Sequence, residues 1–252
     1  MKVLVSNIQR FCLMDGPGIR TTVFTMGCRY RCPWCCNPEN LTTEIKVGKN
    51  TNLTYGKYLD EEEIINIILR DKKYYESNGG VTFSGGEFLL SINEYENVLS
   101  KLKKEGINIC IETSLNAPLN NLVKALKYVN ELIIDFKIID NNISESILKY
   151  SSNSFIENIK YLSENGNNIP FVARIPLAKE IIEDNNLLKI KELLFLNKPK
   201  KLEVFKIHNL AKSKYDDLGL KLEYNFIPSD DEIKNVIDYF KNLDIQIEEI
   251  KI

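Results

Sequence analysis

GCRYRCPWCCNPEN, residues 27–40, contains four of the six cysteines in the chain. Three of them, Cys28, Cys32 and Cys35, follow the spacing C-x3-C-x2-C. Thiolates are the usual ligands of a four-iron, four-sulfur cube, and four ligands are needed to fill it. Three thiolates therefore leave one iron open to a small molecule, much as a catalytic zinc keeps one position free. The spacing predicts a cluster that takes part in chemistry and does not only store an electron.

Other uses of the cysteines fit the sequence less well. The four clustered cysteines could hold a zinc ion, but adjacent cysteines rarely both reach one tetrahedral metal. A disulfide framework is typical of small secreted domains, whereas this chain has 252 residues. Cys12 and Cys110 stand apart from the cluster and are expected to be small buried residues. The spacing therefore favours an iron–sulfur cluster over zinc or disulfides.

Four further segments of the chain, like the cysteine triad, match the motifs of a known family. They are Asp15–Thr21 (DGPGIRT), Phe83–Glu87 (FSGGE), Asp135–Lys137 (DFK) and Leu202–Tyr215 (LEVFKIHNLAKSKY). With these segments the chain resembles the radical S-adenosylmethionine (SAM) superfamily. Within it, the chain is similar to the activating enzymes of glycyl-radical enzymes, such as pyruvate formate-lyase activating enzyme. The resemblance covers nearly the whole chain, and DGPGIRT together with the triad is its most specific part.

The resemblance implies a single [4Fe-4S] cluster that binds SAM through its amino and carboxylate groups. An electron from the cluster then cleaves SAM to a 5′-deoxyadenosyl radical, which takes a hydrogen atom from a glycine of a large glycyl-radical enzyme. Flavodoxin or ferredoxin would supply the electron. No catalytic residue is expected beyond the cluster and SAM, because the protein's task is to position the cofactor and exclude other reactions. The alternatives are a radical SAM enzyme that modifies a small molecule or peptide, such as a deazaguanine-forming synthase, and a non-catalytic metal-binding module.

The glycine turn and the end of a later predicted strand are expected to contact SAM. Gly85 and Gly86 lack a Cβ and let the backbone approach a ligand, and in relatives this turn meets the methionyl amino group, with Glu87 as its support. Side chains alternate along a strand, so Asp135 and Lys137 point to the same side at the end of a predicted strand. Asp135 suits a ribose hydroxyl or the amine of SAM, and Lys137 suits the SAM carboxylate. The structural alternatives are an ordinary turn at Gly85 and Gly86 and an exposed ion pair between Asp135 and Lys137.

Three more residues are assigned to the adenosyl part of SAM by the same resemblance. His208, the only histidine of the chain, follows a predicted strand where activating enzymes place a SAM-contacting histidine. Trp34 and Cys36 flank the third cluster ligand, where relatives contact adenine. Cys36 stands where many activating enzymes have histidine. The structural alternative for Trp34 is packing in the core, which can coexist with the contact.

The remaining expectations concern the SAM carboxylate and the substrate. Glu112 and Thr113 stand where the family often has Asp-Thr near the carboxylate, sometimes with a monovalent cation. Asp15, in the D-G-P-G turn, is expected to face a substrate peptide, although this sequence also suits a tight turn by itself. Arg174 could bind a carboxylate or a partner backbone, or could be a strand residue whose long side chain reaches solvent.

Composition limits the possible functions. Apolar residues make up 44% of the chain, and the formal charge of −2 gives no attraction to nucleic acid. No stretch has the roughly 20 apolar residues needed to span a bilayer, so no membrane partner is expected. Unpaired thiols and a start, MKVLVSNIQRF, without signal-peptide features predict a cytoplasmic protein. An exposed three-ligand cluster is oxygen-sensitive, which points to an anaerobic or microaerobic host.

Apolar strands alternate with helical segments along the chain. The predicted strands are Thr21–Met26, Val81–Ser84, Ile107–Thr113, Glu131–Lys137, Phe171–Ile175 and Leu202–Ile207, with a possible last strand at Ile245–Ile250. Capping boxes are predicted at two helix starts, Ser91 with Glu94 and Ser229 with Glu232. About six such units predict an α/β fold, a partial (β/α)6 TIM-like barrel.

The motifs lie at or just after the carboxyl ends of these strands, the rim where barrels of this type build their sites. Residues 1–252 are expected to form one domain. Segment 41–57 contains no cysteine, so the ferredoxin-like insert of larger relatives is not expected there.

Overall fold

The computed structural model describes residues 1–165 and 169–250. Its strands are β1 (Lys2–Cys12), β2 (Arg20–Thr25), β3 (Lys46–Val47), β4 (Thr54–Tyr55), β5 (Lys57–Asp60), β6 (Gly80–Gly85), β7 (Asn108–Thr113), β8 (Glu131–Asp135), β9 (Phe171–Leu177), β10 (Lys201–Lys206) and β11 (Gln246–Ile250). Its α-helices are α1 (Glu61–Asp71), α2 (Ile92–Lys104), α3 (Leu119–Ala125), α4 (Asn141–Ile147), α5 (Asn153–Asn165), α6 (Asp184–Leu196), α7 (Lys212–Leu218) and α8 (Asp230–Phe240).

One large sheet organises the molecule. Its strands follow the order β11-β10-β9-β8-β7-β6-β2-β1-β5. All neighbours from β2 to β11 pair in parallel, while β1 is antiparallel to both β2 and β5. In this order β5 and β11 stand at opposite edges and do not pair with each other. The fold is therefore a partial barrel, and its carboxyl-terminal rim gathers the loops that follow the parallel strands.

Apolar strands and one-sided helices hold the barrel together. Every residue of β9 is buried, as expected for a parallel strand that is covered on both faces. Helix α2 turns Tyr95, Val98 and Leu102 towards the sheet, which is the spacing of one helical face. Phe83 stacks on Phe88 with ring centroids 4.8 Å apart, and Tyr95 meets both rings edge-on. This aromatic cluster lies directly beneath the turn that follows β6.

The predicted strands are confirmed with small shifts of their ends. The strand predicted at Glu131–Lys137 ends at Asp135, so Lys137 lies in the following loop. The capping box of Ser229 and Glu232 is present in full. The box predicted at Ser91 is wrong, because Phe88–Ser91 forms a 3-10 turn and Ser91 makes no side-chain cap. Its backbone is already near-helical, whereas a capping residue is typically extended.

The sequence interpretation missed two elements that matter for the site. Strand β1 precedes the D-G-P-G turn, so the first predicted strand is the second of the fold. Helix α7 follows the loop that contains His208 and packs on the cysteine loop.

The segment 41–57 forms the hairpin of β3 and β4. None of the helices in the described part of the chain has the length and apolarity required to cross a bilayer.

Candidate active site

A cavity of about 400 Å³ opens at the carboxyl-terminal rim of the barrel. It collects fourteen of the fifteen residues that the sequence analysis assigns to the site: Asp15, Cys28, Cys32, Trp34, Cys35, Cys36, Gly85, Gly86, Glu112, Thr113, Asp135, Lys137, Arg174 and His208. These residues come from loops and strand ends spread over most of the chain. The fifteenth, Glu87, lies behind the cavity wall.

The cysteine loop is fixed at several points by backbone hydrogen bonds. The Gly27 amide donates to the Asn40 carbonyl at 2.9 Å, and the Arg31 amide donates to the Leu148 carbonyl at 2.8 Å. From the other side of the barrel, the Tyr215 hydroxyl donates to the carbonyl of Cys35 at 3.2 Å. The loop is thus held to both α4 and α7, which presents its thiols to the cavity.

The three predicted cluster ligands are buried thiols, and their burial opposes ionisation. Burial raises the pKa of Cys28 to about 12 and that of Cys32 to about 11, and it raises the pKa of Cys35 as well. Lys137 acts in the opposite direction on Cys28 and Cys32. A metal centre supplies the compensating positive charge, because metal binding releases thiol protons. The donor set therefore fits a cluster better than it fits free thiolates.

The part of the chain that the structure describes contains no group of side chains arranged for a single bare ion. Among residues 1–165 and 169–250, no three or more His, Cys, Asp or Glu side chains form a candidate site for one metal ion. The ligands of a cubane bind different iron atoms and so do not need to converge on one point.

Asp135 and Lys137 face the cavity as a pair. The Lys137 ammonium donates to Oδ2 of Asp135 at 2.7 Å, whereas Oδ1 of Asp135 is buried and has no partner among the residues that the structure describes. Burial alone would lower the pKa of Lys137, but Asp135 and the thiols of Cys32 and Cys28 outweigh it and raise the pKa. A permanent cation and an unpaired acceptor beside the cysteines fit a ligand that carries both a carboxylate and a donor group.

Asn40 is a second unpaired polar group at this wall, and the sequence analysis missed it. Its side-chain amide is buried and lines the cavity, and within residues 1–165 and 169–250 neither polar atom of that amide has a hydrogen-bond partner. An unpaired buried amide costs free energy, so a ligand with both donors and acceptors would be a suitable neighbour. Only its position next to the cysteines in NPEN could have pointed to it.

The two glycines of the turn after β6 are required by close backbone packing. Gly85 has φ +110°, in the region that favours glycine. A Cβ on Gly86 would lie 2.2 Å from the carbonyl oxygen of Gly27. This packing explains the glycines structurally, and it also brings the turn next to the cysteine loop in the cavity wall.

Glu87 holds two strand ends together from behind the wall. Its carboxylate accepts hydrogen bonds from the Thr113 hydroxyl at 2.6 Å and from the amide and hydroxyl of Ser114 at 2.9 and 2.7 Å. It also accepts from the Leu89 amide at 3.2 Å, which caps the 3-10 turn. The structure thus gives Glu87 a supporting position and not a direct contact with the cavity.

Glu112 and Arg174 form a buried charge network on the strands that flank Asp135. Arg174 donates to Glu112 at 2.6 Å, to Glu203 at 2.8 and 2.9 Å, and to the carbonyl of Met14 at 3.0 Å. The other Glu112 oxygen accepts from the Ser84 hydroxyl at 2.6 Å. Both oxygens of Glu112 are therefore engaged, and the positive charge beside them is a guanidinium.

Asp15 is held at the same side of the cavity. Its Oδ2 accepts from the Thr22 hydroxyl at 2.6 Å, and its carbonyl accepts from Thr82 at 2.5 Å. Arg174 donates a hydrogen bond to the carbonyl of Met14, which is the residue just before Asp15. The two residues predicted to face the substrate are thus brought together, although the donors of Arg174 are engaged within the protein.

Helix α7 supplies contacts that the sequence interpretation did not assign. The Lys214 ammonium donates to Oδ1 of Asn37 at 3.0 Å and to Glu39 at 2.6 Å. Together with the Tyr215 hydroxyl bond, these contacts join the loop of His208 to the cysteine loop. Both residues lie in or beside the segment Leu202–Tyr215, but only a folded structure shows which side chains cross the cavity.

Comparison with known proteins shows the family to which the chain belongs. The sequence profile of the Radical SAM superfamily matches residues 22–189. The chain belongs to the radical SAM superfamily. Its curated relatives include the (2S)-3-sulfopropanediol dehydratase activating enzyme of Klebsiella oxytoca, with 30% identity over 86% of each chain. They also include the pyruvate formate-lyase-activating enzyme of Clostridium pasteurianum, with 30% identity over 91% of this chain and 92% of the relative.

A solved structure shows the same radical SAM fold. A domain of pyruvate-formate lyase-activating enzyme from Bacteroides vulgatus ATCC 8482 superposes with a TM-score of 0.56 and 21% identity. The match covers 69% of this chain and 99% of that domain. At this identity the likeness speaks for the fold, and it supports the partial barrel predicted from the alternating strands and helices.

Proposed function

We propose that this radical SAM protein is an activating enzyme that installs a radical on a glycine of a partner glycyl-radical enzyme. The observation that carries the proposal is the cavity, in which the cysteine triad, the Gly85–Gly86 turn, Asp135 with Lys137, and His208 meet. Relatives that align over most of the chain are named as activating enzymes of several different partner enzymes. These names support the reaction class and leave the partner open.

The cofactors of the proposal are one [4Fe-4S] cluster on Cys28, Cys32 and Cys35, and SAM beside it. When bound, this pair supplies an electron and a radical that can remove a hydrogen atom from carbon. Lys137 suits the SAM carboxylate because it is a buried cation facing the thiols. The free Oδ1 of Asp135 is an acceptor for the amine or a ribose hydroxyl.

In the proposed enzyme, Arg174 takes the place of a monovalent cation beside Glu112. Arg174 already neutralises Glu112 at 2.6 Å, and Ser84 occupies the other oxygen. A monovalent cation at Glu112 would have to compete with a guanidinium of the same charge, which is unfavourable at such a distance. We therefore assign the positive charge at this wall to Arg174, with Thr113 and Ser114 held beside it by Glu87.

The substrate would enter from the open side of the sheet. Because β5 and β11 do not pair, the barrel is not closed by hydrogen bonds between its two edges. A glycine loop of a large partner could reach the cavity there, next to Asp15. Glycine is a suitable target because its Cα radical is delocalised over the flanking amides. Flavodoxin or ferredoxin remains the proposed electron donor, in the cytoplasm.

The test begins with cleavage of SAM. The protein, reconstituted anaerobically with iron, sulfide and a reductant, should form 5′-deoxyadenosine from SAM. Cys32→Ala should abolish this product, whereas Cys12→Ala, which changes a cysteine outside the cavity, should retain it. Retention of the product by Cys32→Ala would overturn the assignment of the triad.

The second step tests the partner. Mixing the reconstituted protein, SAM and a candidate glycyl-radical enzyme should give a carbon-centred doublet in electron paramagnetic resonance (EPR). Replacing the target glycine of that partner with alanine should remove the doublet. SAM cleavage without a doublet for any glycyl-radical enzyme encoded near this protein would favour a small-molecule or peptide substrate instead.

A further inference from the structure

The fourth cysteine of the loop, Cys36, contacts the side chain of His208. Its Sγ lies 3.8 Å from Nε2 of His208, and both residues line the cavity. The two residues are 172 positions apart in sequence, so the contact joins the cysteine loop to the loop after β10. Cys36 directly follows the predicted ligand Cys35, and adjacent residues place their side chains differently.

The hydrogen bonds around His208 define which ring nitrogen carries the proton. The backbone amide of Leu210 donates to Nδ1 at 3.3 Å. An amide can only donate, so Nδ1 is the acceptor and the neutral ring carries its hydrogen on Nε2. The Nε2 hydrogen then faces the sulfur of Cys36. The thiol hydrogen in turn is directed to the Trp34 carbonyl, 3.8 Å from Sγ.

These contacts form a continuous chain from Leu210 through His208 and Cys36 to Trp34. It runs alongside the bonds from Tyr215 to the Cys35 carbonyl and from Lys214 to Asn37. The loop of His208 is therefore joined to the cysteine loop at several points in the same region. Of these contacts between the two loops, the one made by Cys36 is the one that acts on the imidazole ring itself.

We propose that Cys36 is a positioning residue that holds His208 in its Nε2–H tautomer, so that the ring meets the adenosyl part of SAM with its face and not with a nitrogen. Both ring nitrogens are engaged within the protein, which leaves the ring surface for contact. The inference rests on the proposed function for the identity of the ligand. The arrangement of the two side chains is a property of the protein and can be measured separately.

The test uses the fact that the chain contains one histidine. In reconstituted, oxidised holoprotein labelled with 15N-histidine, NMR should show one ring, with hydrogen on Nε2 and slow exchange of this hydrogen with solvent. Cys36→Ser keeps an acceptor and should preserve the slow exchange, whereas Cys36→Ala should make it fast. Cys12→Ala is the matched control and should behave like the wild type.

Affinity for S-adenosylhomocysteine, which is not cleaved, provides the second readout. Loss of one modest hydrogen bond should weaken its binding about two- to fivefold in Cys36→Ala. Cys36→Ser should bind within about twofold of the wild type, because the bond is retained. Iron and sulfide per chain should be unchanged in both variants.

Three results would overturn the inference. They are a ring with hydrogen on Nδ1 in the wild type, equal exchange and affinity in Cys36→Ala and the wild type, and a loss of bound iron in Cys36→Ala. The last would make Cys36 a cluster ligand. If the wild type fails to cleave SAM while the NMR results hold, the proposed function fails and the positioning of His208 stands.

Discussion

Replacement of Arg174 by methionine removes the charge that joins two buried carboxylates. The guanidinium lies 2.6 Å from Glu112 and 2.8 Å from Glu203, and its side chain is 9% exposed. Glu203 keeps a second cation, Lys201, at 2.7 Å. Of the two groups that bond Glu112, only the neutral hydroxyl of Ser84 remains. Because removal of one partner leaves a buried charge unpaired, we expect the free energy of unfolding to fall by about 3 kcal/mol.

The loss should depend on pH with a defined sign. Burial raises the pKa of Glu112 above its ordinary value of 4.5, and Arg174 opposes that rise, so Arg174→Met should raise the pKa further. A carboxyl group with a raised pKa in the folded state loses stability as the pH increases from its unfolded pKa through the folded one. The deficit of Arg174→Met should therefore be larger at about pH 8 than at about pH 6.

Guanidinium unfolding, followed by circular dichroism under anaerobic conditions, measures both effects. Adding Glu112→Gln to Arg174→Met removes the unpaired charge and should recover most of the lost stability. Lys198→Met breaks the exposed pair with Asp244 and serves as a control, with a change within about 1 kcal/mol. A deficit that is equal at both pH values, or a double variant no more stable than Arg174→Met, would refute the reasoning.

Three other changes test the frame around the cavity. Arg20→Leu should lower the free energy of unfolding by at least about 3 kcal/mol, because the buried guanidinium bonds Thr82 and several backbone carbonyls; a thermal melt checks this. Gly86→Ala places a Cβ 2.2 Å from the Gly27 carbonyl and should weaken S-adenosylhomocysteine binding measured by calorimetry, while Gly106→Ala, with open space around it, should not. Hydrogen bonds led by the one from Thr51 lower the pKa of Asp217 to about 2, so the ionised carboxylate stabilises the hairpin of β3 and β4 at pH values above its ordinary pKa of 3.8. Asp217→Asn should therefore speed proteolysis within residues 46–55.

Local patterns were sufficient to predict the partial barrel, and together with the family resemblance they placed most of the candidate site residues at one rim. Buried parallel strands are rich in apolar residues, and their carboxyl ends meet at one rim, so residues after those strands could be placed together. This reasoning brought Cys28, Asp135 and His208 to one cavity from three distant parts of the chain. Strand β1 escaped it because its alternation of apolar and polar residues is irregular, with an exposed end.

The detailed partnerships could not be predicted, because they depend on contacts between distant segments. Arg174 meets Glu112 across 62 positions, and Tyr215 meets Cys35 across 180. No local spacing encodes either pair. Likewise, Glu87 follows the glycine turn in sequence, yet the geometry of that turn directs it behind the wall, towards Thr113.

The central claim is that three cysteines hold a cluster whose fourth iron takes the amino and carboxylate groups of SAM. Electron–nuclear double resonance on the reduced protein, with SAM carrying 15N in its amino group, tests this most directly. We expect a hyperfine coupling between that nitrogen and the cluster, and we expect it to be lost in Cys32→Ala. A cluster signal that shows no coupling to the labelled nitrogen would contradict it.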